Sequence, residues 1–328
     1  MQSDSPASLS RSAVASAVLL SAMWGLNIVG IKVSLAAFPP IWNAFWRMLL
    51  GWPILWAWAR ATGTGLRLRP GETGPMIWLG LVFAVQIITL NLGVGWTSAA
   101  FAAVLLNAAP VFVNVIAHFL VEGDRLSARR SLGIALAFAG VAFAVWGRPD
   151  AALAPRPVLG NVICLVTAAM IAGRIIYTKG LLRSMDPTKA LFWQVAFSLP
   201  VFLACAFASE PLMVGPLTRG PLLAWLYCSV GVVGLGFILW ARLLQANSPS
   251  LLSIFVFPTP IFGILFSAMI YGERPSLELA FGVIGVASGI LLVTLETHLQ
   301  EIGAGSEIDA PTPQAMGGVS PGSGRARV

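Results

Sequence analysis

Residues 124–140, DRLSARRSLGIALAFAG, and residues 273–289, ERPSLELAFGVIGVASG, are built on one pattern. Asp124-Arg125-x-Ser127-x5-Gly133-x6-Gly140 meets Glu273-Arg274-x-Ser276-x5-Gly282-x6-Gly289 at an offset of 149 residues. Upstream, Pro40-x4-Phe45-Trp46-Arg47-x5-Pro53 returns as Pro187-x4-Phe192-Trp193-Gln194-x5-Pro200 at an offset of 147. Between them Pro110-Val111-Phe112 parallels Pro260-Ile261-Phe262, with slight slippage. Lys32 falls opposite Lys179, and Asn27 opposite Arg174. Apolar matches between leucine-rich segments carry little weight. Pro, Trp, Gly and acid-Arg pairs agreeing in order and spacing point to a duplicated unit.

The surrounding composition names the solvent. Of 328 residues, 57% are hydrophobic and only 10% charged, and mean hydropathy is +0.84. Soluble domains carry roughly 25% charged residues, so lipid must cover most of this surface. The net charge of +7 does not imply nucleic acid, because the basic residues sit in short connections between apolar runs. Cys164, Cys205 and Cys228 lie inside apolar runs without metal-ligand spacing and are expected to be free thiols. The first apolar run exceeds a signal-peptide core, carries Asn27 and Lys32, and recurs in mid-chain, so it is expected to be retained.

A spanning helix takes about 20 apolar residues. Ten candidate spans follow: 14–35, 41–58, 76–94, 100–121, 132–146, 158–178, 190–208, 222–240, 250–271 and 277–295. The expected fold is all-α and polytopic, with ten transmembrane helices in two five-helix repeats. Residues 1–13 form an N-terminal tail, 14–147 the first repeat, 148–157 a linker, 158–296 the second repeat, and 297–328 a disordered tail rich in Gly, Pro and Ser. With the N-terminus placed in the cytoplasm, 13 of the 20 Lys and Arg fall on that face, four fall opposite and three lie within spans. That bias puts both termini in the cytoplasm. Five crossings are an odd number, so the second unit enters the membrane inverted, as alternating access requires.

With these residues in view, the chain resembles the EamA-type family of the drug/metabolite transporter superfamily. Trp24-Gly25-Leu26-Asn27, the acid-Arg-x-Ser-then-Gly signature closing each half, and the five-plus-five arrangement carry the resemblance over about residues 14–295. Asp124 stands where Glu is usual, and Met170-Ile171-Ala172 where a Trp-Gly pair is expected. The resemblance implies a secondary carrier, often an exporter of amino acids or related metabolites, with a central cavity. It implies no cofactor.

Polar residues inside a bilayer are expensive, charged ones at least ~2.5–3.5 kcal/mol at the centre, and they face a bundle interior or a wet cavity. Asn107, Asn114 and His118 fall within about 20° of one line on a continuous helix, which fits a cavity wall or interhelical hydrogen bonding equally. Arg174, with Tyr177 to one side, suits a cargo carboxylate or phosphate, or snorkels to the helix end. Lys32 is expected to snorkel. Arg47 lies about 10 Å into its span, with Gln194 as its repeat partner. It is a carbonyl-bonded structural residue or a cargo contact. Trp24, Asn27, Asn91 and Trp240 complete the candidate cavity set, with Gln86 and Asn161 weaker. Pro110, Pro258 and Pro260 are candidate hinges or static kinks.

No acidic residue falls centrally in any span. Proton coupling through a mid-membrane carboxylate therefore lacks a residue, and facilitated movement stays open. There is no HExxH, GxSxG, Walker lysine or metal cluster, so an enzyme, a direct ATPase and a metal site are disfavoured. A channel or structural membrane component is the alternative. The expected partners are a small-molecule cargo and the bilayer, with no nucleic acid and a homodimer left open.

Overall fold

A computed structural model describes residues 11–120, 127–147, 149–246 and 258–308. The described residues contain no strand. In chain order the helices are α1 (Arg11–Ser34), α2 (Pro40–Ala61), α3 (Thr73–Trp96), α4 (Ala99–Leu106), α5 (Ala109–Leu120), α6 (Ala128–Trp146), α7 (Pro157–Leu181), α8 (Pro187–Ser209), α9 (Arg219–Leu226) and α10 (Phe237–Ala246), then α11 (Thr259–Tyr271) and α12 (Leu277–Ile308). A π-helical stretch, Tyr227–Gly236, joins α9 to α10 without a break.

Six helical stretches among the described residues are long and apolar enough to cross a membrane: Ser12–Ser34, Thr73–Trp96, Ala99–Phe119 (interrupted at Asn107 and Ala108), Pro157–Leu181, Pro187–Ser209 and Arg219–Trp240. Helix α2 has the length, but five tryptophans, Asn43 and Arg47 lower its hydropathy. Apolar segments of α6, α11 and α12 are shorter. The surface matches the composition: Phe119, Phe207, Met269 and Leu277 stand more than two-thirds exposed, while Asn43, Asn91, Thr167 and Ser198 are fully buried. Large apolar side chains exposed on the outside, with polar side chains buried among an apolar core, suit lipid as the outer solvent.

Local chemistry sets the helix ends. Pro40, Pro157 and Pro187 open their helices, where a missing N–H costs nothing. The Asp186 carboxylate accepts from the N–H groups of Thr188 and Lys189. Glu210 does the same for α2 from a distant connection, accepting from Ile41 N at 2.9 Å and Trp42 N at 3.1 Å. After α11, Gly272 takes a left-handed φ of 66°, returning the chain so that Glu273 accepts from Ser267 Oγ at 2.5 Å and faces Ala100 N.

Glycine sets two of the closest crossings. Gly25 of α1 lies against Thr259, Phe262 and Gly263 of α11, and Gly140 of α6 lies against Gly282 and Gly285 of α12. Elsewhere α3 packs on α7 and α8, α2 on α8 and the π-helical stretch, and α1 on α9.

Two expectations are corrected. The fourth apolar run is two helices broken at Asn107 and Ala108, because Pro110 cannot donate back into the preceding turn. The asparagines therefore do not share one continuous helix line. Residues 297–308, expected to be disordered, continue α12 as helix to Ile308. The segments around Asp124 and residues 250–257 of the ninth apolar run lie outside the described residues.

Candidate functional site

Two arginines sit inside the bundle, each held by an amide. Arg47 of α2 is 2% exposed and donates from Nη2 to Asn27 Oδ1 of α1 at 3.1 Å. Its Nε and Nη1 are buried without a hydrogen-bond partner among the described residues. Arg174 of α7 is half-buried; it donates from Nε to Gln86 Oε1 of α3 at 2.5 Å and from Nη1 to Gln194 Oε1 of α8 at 3.3 Å. The guanidinium lies 5.5 Å above the ring of Phe83, close enough for cation–π attraction.

The two pairs are related residue by residue. Arg47 and Asn27 are 20 positions apart, as are Arg174 and Gln194. Asn27 and Arg174 are separated by 147 positions, and so are Arg47 and Gln194, the offset at which the Pro-Phe-Trp pattern recurs. Donor and acceptor have exchanged helices. One pair puts its arginine on the second helix of the unit, the other on the first.

Neither guanidinium has a carboxylate partner among the described residues. The acids nearby in sequence are occupied at helix ends. Glu72 pairs with Lys189 and accepts from Arg69 N at 2.7 Å. The Arg69 N–H, and then Lys189, hold the Glu72 carboxyl below its ordinary value. Glu210 caps α2, where partial burial raises its carboxyl against the opposing pull of two N–H groups.

The remaining candidates are dispersed. Asn91 is fully buried, accepts from Asn43 at 3.3 Å and donates to Ile87 O at 2.8 Å, which ties α2 to α3. Asn107 and Asn114 each return to the carbonyl one turn back, Ala103 O at 2.7 Å and Pro110 O at 2.9 Å. His118 packs edge-on against Phe119. Trp24 and Trp240 meet edge to face at 5.1 Å. Tyr177 donates to Pro75 O at 3.4 Å. Pro110 stands just after the α4–α5 break, and Pro258 and Pro260 stand at the start of α11.

Lys32 does not snorkel. Its ammonium donates to Val94 O at 3.0 Å, Gly95 O at 2.7 Å and Thr97 O at 2.7 Å, closing the C-terminal end of α3. Gln86, a weaker candidate from the sequence, and Phe83, which did not stand out there, bear directly on Arg174. Their spacing of three on one helix face is the signal that was there to find. Beyond the helix ends, a cleft of about 790 Å³ opens between the α2–α3 and α7–α8 connections, lined by Arg67, Arg69, Glu72, Asp186 and Lys189. None of the candidate cavity residues lines it.

Comparison with known proteins agrees with this architecture. The EamA-like transporter family model matches the chain twice, over residues 11–146 and 158–295. An uncharacterized transporter of Archaeoglobus fulgidus is 28% identical over 84% of this chain and 95% of its own length. A Salmonella typhimurium protein named "Probable amino-acid metabolite efflux pump" is 26% identical over 84% of this chain and 92% of its own. A crystal structure at 20% identity covers 88% of this chain and 99% of its own, with a TM-score of 0.63, and shares the fold. An all-helical chain with apolar membrane-length helices and two family matches is an integral membrane protein, and it belongs to the EamA-like transporter family of the drug/metabolite transporter superfamily.

Proposed function

We propose that the protein is a secondary transporter that exports a small carboxylate-bearing metabolite, an amino acid or related compound, across the cytoplasmic membrane. In this reading ten spans form two inverted five-helix halves, both termini are cytoplasmic, and the halves rock about the cargo. The paired arginines carry the proposal. A buried guanidinium with free donors and no acid partner is costly in a bilayer, and a carboxylate is the ligand whose geometry matches its planar donors. That each half of the repeat supplies one amide-held arginine, with exchanged donor and acceptor, supports a site shared between the halves. The efflux-pump name borne by the Salmonella relative supports the cargo class. Asn27, Arg47, Gln86, Arg174 and Gln194 form the proposed cargo site; Trp24, Trp240 and Tyr177 are packing residues beside it. Pro110, Pro258 and Pro260 mark where helices end and bend, which suits hinges.

The test is flux in proteoliposomes holding the purified full chain, with a ¹⁴C-labelled amino-acid and metabolite mixture. Saturable flux that Arg47→Gln and Arg174→Gln each reduce is the expected result. Unsaturable flux without exchange of label identifies a channel instead. Wild-type flux in both variants removes the arginines from the site.

A further inference from the structure

The charges inside the bundle are one-sided. The sequence holds no Asp or Glu between residues 5 and 71, 73 and 121, 151 and 185, 187 and 209, or 211 and 272. The described acids that border these stretches are engaged at helix ends: Glu72 by Lys189, Asp186 by the start of α8, Glu210 by the start of α2, and Glu273 by Ser267 and Ala100. Asp150 accepts from Ala152 N in the α6–α7 connection. The interior therefore offers two guanidiniums to a cargo carboxylate and nothing charged to a cargo ammonium. Arg47 keeps two buried donor nitrogens unpartnered, and Arg174 is held by the neutral amides of Gln86 and Gln194 and the ring of Phe83.

Resting on the transporter reading above, we propose that the cargo crosses as a net organic anion, not as a zwitterion, and that the membrane potential drives its export. A zwitterion would bring its ammonium toward two interior guanidiniums with no interior carboxylate to offset it. An anion neutralises the buried guanidinium it meets. In a cell whose cytoplasm is electrically negative, outward movement of an anion is downhill. The missing mid-membrane carboxylate is then no defect, because a coupling proton is unnecessary. Of the metabolites related to amino acids, 2-oxo acids keep the carboxylate and side chain and lack the ammonium.

The experiment uses wild-type chain in proteoliposomes with potassium gradients and valinomycin setting the potential, and protein-free vesicles as background. Two matched probes are supplied: a ¹⁴C-labelled amino-acid mixture, and the 2-oxo acids prepared from it by oxidative deamination. A monoanion at 100 mV, inside positive, should accumulate up to about 50-fold, and a neutral zwitterion should not respond. Accumulation of 2-oxo acids that follows the potential, at least tenfold above amino acids, is the expected result. Amino acids moving as well as or better than the oxo acids overturns the proposal and leaves the transporter reading intact. Oxo-acid flux indifferent to potential overturns it too. If neither mixture moves, the amino-acid-related cargo reading fails and takes the proposal with it. Arg174→Lys should retain part of the oxo-acid flux that Arg174→Gln loses, with folding of both variants checked by melting temperature.

Discussion

Arg47 reaches Asn27 through one nitrogen at 3.1 Å and leaves Nε and Nη1 buried without a partner. A charge held this incompletely is expensive to keep, so replacing it by an apolar side chain of similar volume removes a desolvation cost larger than the one hydrogen bond it loses. Arg47→Met should therefore melt at the wild-type temperature or above it in detergent. Its transport should fall on the order of ten- to a hundredfold, the worth of a hydrogen bond to a charged group. A melting temperature lowered together with flux would reduce Arg47 to a structural tie.

The exchanged pair allows a stricter test. Arg174→Gln alone removes the cation contacting Gln86 and Gln194. Adding Gln194→Arg restores it on α8, the arrangement that Arg47 and Asn27 already adopt on α2 and α1. The double variant should recover flux relative to Arg174→Gln, with a coupling of about 0.5–3 kcal/mol between the positions. Additive losses would show that the two pairs are not interchangeable.

The helical class and the positions of Arg47, Asn27 and Arg174 were legible because intramembrane polar residues stand out against apolar runs. Which amides hold Arg174 was not. Gln86 stands in the sequence as a weak single candidate beside Phe83, and it meets Arg174 from 88 residues away. Lys32 sits at a helix end, where snorkelling is the ordinary outcome; its carbonyls lie more than 60 residues downstream. The asparagine line failed because Pro110 breaks the helix it was drawn on. The π-helical stretch has no local signature beyond Gly231, Gly234 and Gly236, and depends on Val233 packing over Gly51 and Cys228 over Gly30.

Lys32 closes α3 with three carbonyl contacts. Lys32→Met keeps the apolar stem and removes the ammonium, stranding carbonyls at Val94, Gly95 and Thr97. Each stranded group costs about 1–3 kcal/mol when buried, so the variant should melt clearly below wild type. A side chain merely reaching for the interface would leave the melting temperature unchanged.

The Glu72–Lys189 pair joins the α2–α3 connection to the start of α8 at the mouth of the cleft. The folded Glu72 carboxyl titrates below its ordinary value because Arg69 N–H and Lys189 favour its charged form. Its contribution is thus present above the unfolded value, about 4.3, and is lost as pH falls through the depressed folded value. The melting difference between wild type and Glu72→Gln should stay level from about pH 8 to 5 and shrink only in stronger acid. A difference that changes around neutrality would implicate another group.

Gly140 and Gly285 test whether the α6–α12 crossing depends on missing side chains. A Cβ on Gly140 would stand 2.5 Å from Val286 N and 2.7 Å from Gly282 O; one on Gly285 would stand 2.6 Å from Gly140 Cα. All of these are backbone atoms, so no rotamer change relieves the overlap and the helices must separate. Overpacking of this kind costs about 1–3 kcal/mol, and in lipid, where close backbone approach supplies the association, the lost contact adds to it. Gly140→Val should lower the melting temperature and the folded yield. Gly180 near the end of α7 is the control: nothing lies within 4 Å of its would-be Cβ, and Gly180→Ala should be neutral or stabilise by about 0.5–1 kcal/mol. If both variants melt alike, the α6–α12 contact is looser than the glycine spacing requires, and the shared Gly pattern at 133, 140, 282 and 289 needs a cause other than packing.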